Sequence, residues 1–281
     1  MKKIVLNYLF IVTIIAIVIF FYFLKFTYTG QYFTYKTFDG NHLHLISGNR
    51  ELFWFDVMHL NDANHPMFKR IENKFIDFNP DLILVEGGYN TFEGNRDEAI
   101  FAGESAFATY LAKQNGVQVE DIEPPLPEQI AYLQTKYNPE KILAMYHIRQ
   151  ITSIRFMPID ADFNFDSYLT IETQTLISNG LNVRSNSLNE ILNIINSYLP
   201  QNIDAESFKY TNSKDLYKIY ACENSALYPV YNDLVNFRNI YLIDLIRKKQ
   251  DKYSKIFIVM GGQHLLDTKS QLKKIYSRKG T

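Results

Sequence analysis

The chain holds one cysteine, Cys222, in 281 residues. That excludes an intrachain disulfide framework and any zinc knuckle built on Cys-x-x-Cys steps. A lone cysteine of this kind reads as a small buried residue. An excess of one charge is missing too: 29 Lys and Arg stand against 30 Asp and Glu, a formal net charge of -1. With no basic stripe, nothing favours a nucleic-acid partner held by broad electrostatics. There is no Gly-x-Ser-x-Gly elbow, Walker A loop or Gly-x-Gly-x-x-Gly fingerprint, which argues against serine-hydrolase, P-loop and dinucleotide-binding chemistry. Asp160, Asp162, Asn164 and Asp166 imitate the start of a calcium loop. Phe165 stands where that turn needs glycine, however, and Ile171 where it needs a bidentate glutamate.

What is present is apolar mass, 47% of the chain with 15% aromatic, enough for a core and for one large domain. The N-terminus reads separately. Lys2 and Lys3 precede an apolar run from Ile4 to Leu24 that only Asn7 and Thr13 interrupt, and Lys25 closes it. About 20 residues at ~1.5 Å each match the ~30 Å hydrocarbon layer. The bulky Phe20-Phe21-Tyr22-Phe23-Leu24 end suits no signal peptidase. The expectation is an uncleaved anchor over 1–27 and a single-pass protein. Its domain, 28–281, lies outside the cytoplasm by the positive-inside rule.

Beyond the anchor, His42–Ser47 and Leu52–Met58 read as strands, and Met67 to Phe78 as a helix with one apolar face. Leu82–Val85 is a continuous apolar strand cut off by Glu86-Gly87-Gly88, as in a sheet covered on both faces. Gly103 to Asn115 reads as a helix, Val117–Val119 as a short strand, and Pro127 to about Phe156 as helical. Residues 160–220 form a polar segment with helical fragments, read as an inserted subdomain or cap. Leu227 to Lys249 is a long helix before the strand Ile256–Met260. The alternation predicts an α/β fold with a mostly parallel central sheet flanked by helices.

Polar groups recur where these strands end: His59, Glu86, Glu123 and His264. In a parallel sheet those ends share the edge where ligands bind. Glu104 opens a helix nearby, and Arg238 precedes the last strand. Singly, His59 reads as a structural histidine, Glu104 as a first-turn acid and Arg238 as half of an ion pair. Together they read as a site. Two carboxylates ~4 Å apart repel by about 4 kcal/mol at an effective dielectric of ~20, so a cation, Arg238 or a retained proton must relieve them. His59, His264, Glu86, Glu104 and Glu123 could bind a divalent transition metal such as zinc, manganese or cobalt. Without one, the same groups could run general acid–base hydrolysis. His42 and His44, alternate on a strand, read as an exposed strand face rather than a metal pair.

The order of motifs resembles the TraB/GumN proteins, a family grouped with the TIKI proteases, erythromycin-esterase-like hydrolases and ChaN-like haem-binding proteins. The motifs are a histidine after the first core strand, Leu84-Val85-Glu86-Gly87-Gly88, Gly103-Glu104, Glu123-Pro124-Pro125, Arg238, and Gly261-Gly262-Gln263-His264-Leu265. The likeness covers about 53–126 and 236–265. It departs at Asp56-Val57-Met58-His59, where the family has glycine first. The resemblance implies a hydrolase, metal-dependent or not, whose site is assembled from His59, Glu86, Glu104, Glu123, Arg238 and His264; the expectation is cleavage of a peptide or ester bond, with Arg238 stabilising the oxyanion. Its ChaN branch implies haem binding without turnover instead.

Overall fold

The structure is a computed structural model that describes residues 42–58, 62, 64–156, 163–184 and 187–277. The anchor expected over 1–27 lies outside these. Among the described residues no helix is long and apolar enough to cross a membrane. The longest, Tyr228–Lys249, has the length but carries Asp233, Arg238, Asp244 and Arg247. The expectation of a fold with a transmembrane helix, and of a membrane location built on it, is corrected accordingly.

Five strands form one sheet: β1 (Leu43–Ser47), β2 (Arg50–Val57), β3 (Leu82–Val85), β4 (Gln118–Asp121) and β5 (Lys255–Gly261), in the order β1-β2-β5-β3-β4. The pairs β2–β5, β5–β3 and β3–β4 are parallel. β1 is antiparallel to β2, so the sheet is mixed rather than simply parallel. The reason is local: Ser47 and Arg50 pair across Gly48-Asn49, and a two-residue connection can only return the chain antiparallel.

Ten α-helices are described. They are α1 (Pro66–Phe78), α2 (Arg96–Ala102), α3 (Glu104–Gln114), α4 (Leu126–Gln134), α5 (Pro139–Phe156), α6 (Phe165–Ser178), α7 (Leu188–Asn196), α8 (Ser213–Ala221), α9 (Tyr228–Lys249) and α10 (Gly262–Ser277). The helical stretch expected from Pro127 to Phe156 is two helices, because Pro139 cannot continue the first and starts the second. α1 begins on His65, whose Nδ1 accepts from Met67 N–H at 3.3 Å, and ends on left-handed Asn79. Cys222, expected to be buried, is exposed.

The strands alternate side chains between two cores. Phe53, Phe55, Ile83, Val85, Phe257 and Val259 face α1 and α3. Leu52, Trp54, Leu84, Ile258 and Met260 face α9 and α10. A third core, with no strand in it, runs from Ile130 on α4 to Leu234 on α9 and includes Leu143, Leu169, Ile191 and Leu216. It therefore extends on both sides of the 160–220 segment. α9 joins two of these cores: Val230 and Leu234 pack in the helical one, and Leu242, Ile243 and Ile246 against the sheet. Arg238 and Asn239 sit between those two stretches, and both are buried.

Candidate active site

β3 delivers Glu86 and the chain turns at once. Gly87 and Gly88 come next with φ of 85° and 73°, values a Cβ disfavours. The register pairs Val85 with Val259 and with Asp121, so the chain leaves β3, β4 and β5 on one edge. Glu86 Oε2 accepts from Gly261 N–H at 3.3 Å, at the end of β5. Glu86 Oε1 accepts from Arg238 Nη2 at 2.7 Å. The same Nη2 donates to Glu123 Oε1, two residues past β4. Arg238 is only 4% exposed, so a nearly dry guanidinium holds two carboxyl groups together.

Arg238 bonds both acids directly, and the Arg149 charge also reaches Glu123, while Glu86 and Asp121 repel its carboxylate. Burial holds the Glu123 carboxyl above the usual glutamate range, although the Arg238 charge works against that. Among the described residues Glu86 accepts from Arg238 Nη2 and from Gly261 N–H, donors that suit a carboxylate. Burial thus favours a proton on Glu123 more than on an ordinary glutamate. Asp121, at the end of β4, accepts from Glu123 N–H at 2.7 Å and from Gly88 N–H, but burial still raises its carboxyl.

His264 lies in the first turn of α10, and its Nδ1 is 2.6 Å from Asn239 Oδ1. Asn239 Nδ2 donates to Asp267 Oδ2 at 3.2 Å. An ionised carboxylate can only accept, so the amide is oriented with its oxygen toward the imidazole. His264 Nδ1 therefore carries the hydrogen and Nε2 the lone pair. Burial, helped by the Arg238 charge, lowers the His264 pKa to about 4, so the ring is neutral at pH 7.

Glu86, Glu123 and Arg238 are thus joined directly, and His264 stands within their field at the same edge. His59 lies outside the described residues, just beyond β2. Glu104 is buried in the first turn of α3, a helix packed on the sheet face opposite α9, and is not one of the two carboxyls Arg238 holds. Asp56 is buried against Gly262, where a Cβ would run into the carboxylate. The second glycine after β5 therefore serves close approach by the chain's own side chain. His44 bonds Glu51 at 2.9 Å, and the His42 ring packs at 4.3 Å from that of Phe55.

Sequence reading passed over Asn239, Asp267 and the wall of a neighbouring cleft. The position of Asp267, three after His264 on one helix face, was the available signal. Asn239 gave none beyond its place next to Arg238. The cleft encloses about 360 Å³ beside Glu123, with Tyr146, Arg149 and Gln150 of α5 and Glu172 of α6 in its lining. Nothing in the spacing of those residues joins them before α5 and α6 pack together.

The metal that the motif order implies finds no group of three His, Cys, Asp or Glu side chains arranged to hold an ion among the described residues. Glu86 and Glu123 direct oxygens at Arg238 instead. Compared with protein-family models, curated proteins and solved structures, the chain matches none.

Proposed function

We propose that the protein is a hydrolase of a peptide or ester bond, working by general acid–base chemistry at the C-terminal edge of β3, β4 and β5. The observation that carries this reading is geometric: one buried guanidinium, Arg238, holds Glu86 and Glu123 at the strand edge where His264, its Nδ1 tied to Asn239, presents a neutral imidazole. A carboxyl held above its usual range beside an imidazole held below its own is the kind of tuning that acid and base roles draw on. The order of TraB/GumN-like motifs supports the same class.

His264 Nε2 takes a proton from water as the oxygen adds to the carbonyl carbon. The Glu123 carboxyl gives its proton to the departing oxygen or nitrogen as the tetrahedral centre collapses. The imidazolium then returns a proton to the Glu123 carboxylate, which restores both groups. Arg238 is a positioning residue here. With Nη2 committed to Glu86 and Glu123, it fixes both carboxyls. Asn239 and Asp267 hold His264 in the tautomer that leaves Nε2 basic.

The test is an assay of the purified full chain on activated esters and fluorogenic peptides, with and without added zinc, manganese or cobalt. His264→Ala and Glu123→Gln are each expected to lower kcat/KM by about 10²–10⁴-fold in a chain that still folds. Undiminished turnover in both variants would refute the assignment. An iron-porphyrin Soret band in the purified protein would favour the haem-binding alternative.

A further inference from the structure

Two opposite charges face the cleft that adjoins Glu123. Arg149 on α5 and Glu172 on α6 both line it, yet among the described residues neither enters an ion pair or a side-chain hydrogen bond. Both are half-buried. The other cleft carboxyls are already engaged: Asp121 accepts backbone N–H donors, and Glu123 accepts from Arg238.

The spacing of the two walls is fixed. His147, two residues before Arg149, bonds Thr173, the neighbour of Glu172, at 2.8 Å, and that bond ties α5 to α6. Below, Gln129 Nε2 donates to Pro124 O at 2.7 Å and Tyr146 Oη donates to Gln129 Oε1 at 3.3 Å, which steadies the floor. Arg149 and Glu172 are thus held in one polar cavity without meeting. Charges drawn partly out of water cost free energy unless something completes them. A ligand carrying both signs completes both. Guanidinium matches a carboxylate through two parallel N–H donors, and a carboxylate matches an ammonium. At ~30 Å³ per water volume, about 360 Å³ has room for roughly a dipeptide.

We propose that this cleft binds a zwitterionic small molecule, an amino-acid derivative or short peptide, with Arg149 on its carboxylate and Glu172 on its ammonium. The proposal narrows the substrate class of the hydrolase reading and rests on that reading only for the chemistry after binding. Seating such a ligand against Glu123 brings the bond between its two ends to the proton donor.

The experiment is calorimetric titration of the full chain carrying His264→Ala, which lies outside the cleft lining. The probes are alanyl-phenylalanine, its N-acetyl form and its C-terminal amide. The uncapped dipeptide is expected to bind at least about tenfold tighter than either capped form, the effect of losing one charge-assisted contact worth about 1.4 kcal/mol. Adding Arg149→Gln should erase the penalty for amidation only, and Glu172→Gln the penalty for acetylation only, while Arg149→Lys keeps the amide penalty. Equal binding of capped and uncapped forms, no binding of any, or preferences that survive both glutamine variants would overturn the proposal. Should a glutamine variant fail to fold, the capped series on the His264→Ala chain decides alone. A dipeptide bound with the expected preference but left intact by the parent chain would sink the hydrolase reading and leave this one standing.

Discussion

Arg238 is the residue on which the site's electrostatics turn. Its guanidinium is buried and keeps Glu86 and Glu123 together. Arg238→Met removes the compensating charge and leaves two neighbouring carboxyls, so a loss of about 3–5 kcal/mol is expected in denaturant unfolding. The double variant Arg238→Met with Glu86→Gln should recover part of it, and a loss below about 1 kcal/mol would mean that water already compensates the pair. His264 and Glu123 set a second expectation. The base must be neutral, so activity should fall as pH drops through about 4, the lowered His264 value. The acid must hold its proton, so activity should also fall above the raised Glu123 pKa. A pH profile of kcat/KM should thus rise through about 4 and fall again above the raised Glu123 pKa, and a single rise with a midpoint near 6.5 would contradict the role of His264.

Among the elements, α5 and α6 share a pH-sensitive contact. His147 is 1% exposed; its Nε2 meets Thr173 Oγ1, and its Nδ1 has no hydrogen-bond partner among the described residues. Burial lowers its pKa to about 4. The unfolded chain takes up this proton near pH 6.5 and the folded chain only near 4. The contribution to stability is therefore intact above 6.5 and lost as pH falls toward 4, on the order of 3 kcal/mol. His147→Leu should lower stability at pH 7 by about 1 kcal/mol through unpaired Thr173, yet flatten the acid slope seen in melting temperatures between pH 7 and 4. Equal slopes would show that His147 is protonated without opening the helix pair.

At the scale of the whole molecule, what could be read from the chain came from periodicity and punctuation. The strand Leu82–Val85 showed as an unbroken apolar run ending in Glu86-Gly87-Gly88, and β5 as another ending in Gly261-Gly262. Each put a polar side chain where its strand stops. The antiparallel β1 was hidden because a two-residue turn sets strand direction and the hydrophobic pattern does not. Asn239 was hidden because its role is to orient a neighbour, which no spacing rule records. The cleft was illegible for a stronger reason: Glu123, Arg149 and Glu172 come to line one cleft only through packing between elements.

The 22-residue helix α9 is shared property, anchored at one end in the helical core and at the other against the sheet, with Arg238 midway. Neither half of the protein owns it outright. A sheet fragment made without α9 would lack the cover for Leu242, Ile243 and Ile246. A helical fragment made without it would expose the partners of Val230 and Leu234. Expressed as separate pieces cut in the middle of α9, the halves should each be insoluble or protease-sensitive and should regain protection only when mixed. Independent, protease-resistant halves would show that the seam can part without unravelling either side.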